Sequence, residues 1–94
     1  MNREQTVQMM KKQLDQWNHD IDALAAKADE YQDKGSQQFH ETLKSLRIKQ
    51  ENAREQLERV SKANDAAFED MRDGVEEGLK KVAESFKQAV DRYH

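Results

Sequence analysis

The chain has 94 residues, of which 37% are charged and 35% hydrophobic, with no cysteine, no proline and a formal net charge of −3. That length bounds it to one domain, the missing cysteines exclude disulfide staples and thiolate metal sites, and the acidic balance argues against non-specific capture of nucleic acid. High charge with modest apolar content is how coiled coils and long helices depart from globular averages. With only three glycines, Gly35, Gly74 and Gly78, the sequence reads as helix almost throughout.

The first expected helix covers about residues 2–33. Asn2 offers a side-chain oxygen as cap, and Gln5 stands where it can reach back in a capping box. Val7, Met10, Leu14, Trp17, Ile21, Leu24, Ala28 and Tyr31 then follow in alternating steps of three and four, the spacing of a coiled-coil seam. With Val7 as position a of the heptad, Gln13, Asp15, Gln16, Asn18, His19, Asp20 and Asp22 fall on the outer face. Trp17 at position d is bulky for a two-stranded seam and points to three or more helices around that layer. No apolar run approaches the roughly 18 residues a bilayer crossing needs, and the N-terminal stretch has no apolar signal segment, so a soluble, cytoplasmic protein is expected.

Gly35 and Ser36 suit a helix end and a new cap, and a second helix is expected over 36–62. Its apolar residues are Phe39, Leu43, Leu46, Ala53, Leu57 and Val60. Tyr31 to Phe39 spans eight residues where the repeat wants seven. The extra residue means either a break at Gly35 or one continuous helix that unwinds locally.

Ser61, Asn64 and Asp65 cluster three capping residues where that seam stops, and a third helix is expected over 65–93. Phe68, Met71, Val75, Leu79, Val82, Phe86, Val90 and Tyr93 give it an eleven-residue rhythm, which keeps an apolar stripe straight or slightly right-handed. Its first half is acidic and its second half basic, which suits the helix dipole. Residues 1–34 sum to −2, residues 35–63 to +2 and residues 64–94 to −3, so a basic middle helix can pack between acidic ones. Lys80, Lys81, Lys87 and Arg92 rim the last apolar face, an arrangement also found in helices that lie on membranes.

Residues that carry chemistry are sparse. Asp15, His19 and Asp22 share a helix face but on the outer side, where solvated polar residues are the expected role. His40-Glu41 lacks the Glu-x-x-His spacing of di-iron bundles. Gly74 and Gly78 have the spacing that lets helices approach closely, but with two glutamates between them the expected role is to thin a crowded helix contact or to make the last helix pliable. Met10 and Met71 sit on seam positions, where packing is the expected role. No catalytic, cofactor-binding or metal-binding residue is assigned.

Met10-Lys11-Lys12-Gln13-Leu14-Asp15-Gln16-Trp17-Asn18, Ile21-Asp22-Ala23-Leu24, Ala26-Lys27-Ala28 and the run from Asp65 to Glu76 resemble a family of small bacterial coiled-coil, stress-response-associated proteins. The resemblance spans most of the chain and implies a stress-linked role, with no catalytic residues to carry over. Two positions depart from it: the family has tryptophan at Phe68 and runs without glycine through Gly35, which would favour a helix continuing to about Val60.

The expected fold is therefore all-α, a long antiparallel hairpin or a three-helix coiled-coil-like bundle with no β-structure. The expected helix–helix interface comprises Val7, Met10, Leu14, Trp17, Ile21, Leu24 and Tyr31; Phe39, Leu43, Leu46, Leu57 and Val60; and Phe68, Met71, Val75, Leu79, Val82 and Phe86. Narrow a/d seams leave an apolar edge open, so a homo-oligomer or a helical partner is expected. The function this implies is a non-enzymatic interaction or structural protein, with lipid-surface binding by the last helix as the alternative.

Overall fold

The computed structural model describes residues 2–27 and 36–93. Three helices make up the fold: α1 (Arg3–Ala25), α2 (Ser36–Lys62) and α3 (Asp65–Arg92). Among the described residues there is no strand.

The starts of α1 and α3 each follow from a capping residue. Asn2 accepts from the Gln5 amide at 2.8 Å while Gln5 Oε1 accepts from the Asn2 amide at 3.1 Å, so the expected capping box is present. Between α2 and α3 only Ala63 and Asn64 are non-helical, and Asn64 Oδ1 accepts from the Ala67 amide at 2.8 Å. Of the three capping residues clustered there, Ser61 stays helical and Asn64 caps.

The helices run up, down and up. Arg3 donates to the Ala63 carbonyl, and Gln50 donates to Asn18 at 3.4 Å, so α1 and α2 are antiparallel. Lys49 donates to Ser85 at 3.1 Å, and the Phe39 and Tyr93 rings meet at 5.0 Å, so α2 and α3 are antiparallel too. α1 and α3 are parallel: Trp17 stacks on Phe86 with centroids 5.2 Å apart and planes 11° from parallel.

Two expectations about the chain path are corrected. A continuous helix through Gly35 would carry Ala63 roughly 90 Å from Arg3 at 1.5 Å per residue, yet those residues are hydrogen-bonded. The first helix also stops at Ala25, short of residue 33, with Ala26 as its C-cap and Lys27 in a turn. The expected capping role of Gly35 and the seam positions Ala28 and Tyr31 lie outside the described residues.

The result is a rod of 51 × 18 × 17 Å. Its surface of 6565 Å² exceeds the roughly 5,600 Å² of a compact monomer of this mass. The excess is the flank of the rod, where helix faces meet solvent.

Candidate interaction surface

The apolar residues of all three helices converge on one internal core. α1 contributes Met10, Leu14, Trp17, Ile21 and Leu24; α2 contributes Phe39, Leu43, Leu46 and Val60; α3 contributes Phe68, Val75, Leu79 and Phe86. Val7, Leu57, Met71 and Val82 are half-buried against that core, and Tyr31 lies outside the described residues. The expected open edge is thereby corrected, because α3 lies along both other helices and shares their core. The stripe of α3 is likewise turned inward, so contact with a lipid surface through Phe68, Val75, Leu79 and Phe86 requires the bundle to open first.

A three-helix bundle asks each helix to face two neighbours, so the buried face is wider than an a/d seam. In α1 the g column, Thr6, Gln13, Asp20 and Lys27, is drawn in, whereas the heptad labels put Gln13 and Asp20 outside. Gln13 and Asp20 line a groove with Ala83, Phe86 and Lys87 of α3, and Lys27 Nζ donates to the Tyr93 carbonyl at 2.9 Å. Asn18, from the opposite e column, reaches Gln50. Thr6 is fully buried, and its hydroxyl has no hydrogen-bond partner. A buried unpaired hydroxyl costs about 1–3 kcal/mol, and nothing in the structure explains its retention.

Gln50, like Thr6, is a buried polar residue the apolar pattern passed over. It is 8% exposed and fills the seven-residue gap between Leu46 and Ala53. With it, Phe39, Leu43, Leu46, Gln50, Ala53, Leu57 and Val60 form an unbroken alternation of four and three. That gap was the signal.

Ile48, 53% exposed, is the large hydrophobic residue left outside on α2. It stands on the side of the helix opposite the core. Exposed Lys44 and Arg47 precede it, and exposed Glu51 and Glu55 follow it. Within about one turn of Ile48 the patch is therefore bipolar along the helix axis, basic before it and acidic after. Arg54 already pairs with Glu51 at 3.0 Å, but both side chains remain more than half exposed.

A groove of about 400 Å³ between α2 and α3 is lined by Glu41, Thr42, Ser45, Lys49, Ser85 and Arg92, among others. Here a hydroxyl meets an amine, as Lys49 Nζ donates to Ser85 Oγ at 3.1 Å. The pairing does not make a nucleophile: Ser85 Oγ donates its proton to the Lys81 carbonyl at 3.1 Å. Ser85 also lies well inside α3, where backbone amides are committed to the helix and offer no oxyanion donors. Asp15, His19 and Asp22 are exposed on α1, and His40 is exposed with its ring edge-on to Phe39 at 5.6 Å. Among the described residues, no group of three or more histidines and carboxylates is placed to hold a metal ion.

A Cβ at Gly74 or Gly78 meets nothing within 4 Å, so they serve neither a close approach nor a crowded contact, which leaves the pliable helix of the three readings. On the far side of α2, the Lys62 ammonium hydrogen-bonds Glu58 at 2.8 Å and holds its carboxyl below the usual range, while Glu58 raises Lys62. No described helix is long and apolar enough to cross a membrane. No family model, curated protein or solved structure matches the chain.

Proposed function

We propose that the protein is a non-enzymatic helical interaction module that associates with a second copy of itself through the outer face of α2. The observation that carries this reading is the bipolar patch around Ile48. A two-fold axis through such a patch sets isoleucine against isoleucine and turns Lys44 of each copy toward Glu51 of the other, since an isologous interface must complement itself. Each exposed ion pair contributes only about 0.2–1 kcal/mol, so the association is reversible and weakens with salt. The cytoplasmic, stress-linked bacterial setting belongs to the same proposal and is supported by the family resemblance around Leu14-Asp15-Gln16-Trp17-Asn18.

Sedimentation equilibrium of the full chain, from micromolar to hundreds of micromolar and at low and high salt, tests it. A dimer that dissociates on dilution, on raising salt and in Ile48→Glu is expected. Lys44→Glu is expected to weaken it, and Lys44→Glu with Glu51→Lys to restore it. A monomer at every concentration, or a dimer indifferent to Ile48→Glu, overturns the reading.

A further inference from the structure

We infer that the Asn18–Gln50 contact is a register lock: it selects one alignment of α1 along α2 from several that apolar packing alone would accept. The stripes on the two helices repeat every seven residues, Met10, Leu14, Trp17, Ile21 and Leu24 on α1 against Phe39, Leu43, Leu46, Ala53, Leu57 and Val60 on α2. Sliding one helix by a heptad, roughly 10 Å at 1.5 Å per residue, again sets apolar side chains against apolar side chains. Hydrophobic burial is non-directional and discriminates weakly between such alignments.

Gln50 discriminates. Gln50 is 8% exposed, so its amide needs a partner from a neighbouring helix or is left largely unpaired. In the observed register Gln50 Nε2 donates to Asn18 Oδ1 at 3.4 Å, and Asn18 belongs to the e column of α1 that faces α2. The residues one heptad away in that column are Lys11 and Ala25. A slip in one direction sets Gln50 against Ala25, which has no side-chain polar atom. The opposite slip brings Lys11, whose ammonium can donate to the Gln50 amide oxygen but leaves the amide N–H without an acceptor and carries a desolvation cost of its own. A single polar residue in a heptad core is known to fix register in this way at a cost in stability. The long contact is consistent with that role, since selection needs the other alignments to be worse and does not need this hydrogen bond to be strong.

The test replaces the amide with apolar atoms, by Gln50→Leu and, to guard against overpacking, by Gln50→Met, which keeps the length and flexibility of the side chain. Both are made in the Ile48→Glu background, so that association through the outer face of α2 does not contribute. The Gln50 chain is expected to give one set of amide resonances and one sedimenting species. Each variant is expected to melt higher, by about 5 °C for a domain of this size. Each is also expected to show doubled or exchange-broadened resonances across α1 and α2, or a mixture of species. A variant that melts lower, or that melts higher while keeping a single sharp set of resonances and a single species, overturns the inference. Because Ile48→Glu is common to every sample, failure here leaves the outer-face association standing, and failure of that association leaves this test unaffected.

Discussion

The two ends of the rod are closed by different physics. At one end Phe39, 1% exposed, meets Tyr93, 6% exposed, edge to face at 5.0 Å and 82°. The Arg92 guanidinium lies 5.6 Å from the Tyr93 ring centre, and Lys27 ties down the Tyr93 carbonyl. At the other end Asn2 and Asn64 cap α1 and α3, and Arg3 bridges to the Ala63 carbonyl with its guanidinium 3.9 Å from Asp65. The caps at that end are polar, with Asp65 fully in solvent, and Val60 and Phe68 are buried beneath them. Aromatic burial concentrates stability in a few side chains, whereas capping spreads it over many small hydrogen bonds. Loss of a cap is therefore expected to be tolerated better than truncation of the Phe39–Tyr93 pair.

The largest expected effect is at the aromatic end. Phe39→Ala is expected to cost about 3–5 kcal/mol, read as a lower urea midpoint with little change in slope. Loss below about 1 kcal/mol would mean that the end is already frayed, and the contrast would fail. Asn64→Ala, at the capped end, is expected to cost about 1 kcal/mol by the same measurement. A cost as large as that of Phe39→Ala would show that the short turn between α2 and α3 holds the bundle together and is not a replaceable cap.

The smallest effect is expected at Glu58 and Lys62, near the capped end. Glu58 titrates below its ordinary value when folded because Lys62 hydrogen-bonds its carboxylate. Its contribution is therefore present above the usual carboxylate range and is lost as pH falls through the depressed value. Lys62 is raised, so its contribution is present below the usual lysine range and is lost as pH rises through the elevated value. Both groups are fully exposed and screened by solvent. Glu58→Gln is thus expected to shift the melting midpoint within measurement scatter between neutral pH and pH 3. A selective acid loss that Glu58→Gln abolishes would give this exposed pair a weight such pairs do not ordinarily carry.

Much of the bundle is legible in the order of residues. The capping box at Asn2, the boundary at Asn64 and the apolar stripe of each helix follow from local rules of spacing and capping, and those rules need no knowledge of neighbours. The bulk of Trp17 at a seam position already asks for a third helix, and the structure supplies Phe86 as its stacking partner. Gln13 and Asp20 were harder to place, because a heptad labelled for one partner says nothing about the column that faces a second, whereas Gln50 lies on the seam itself and is hidden only by being polar. Gly74 and Gly78 were undecided for a related reason: the spacing permits a close approach, and whether another helix is there depends on tertiary packing.

The sequence by itself determined the helices and the residues that must leave water, since periodicity and capping are properties of a single chain segment. Tertiary structure decided which surfaces remained. By laying α3 along α1 and α2, it closed the seam on itself and left the patch around Ile48 outside. It also made Asn18 and Gln50 partners, because burial has no direction of its own, and a buried amide acquires one only when a particular neighbour can answer it.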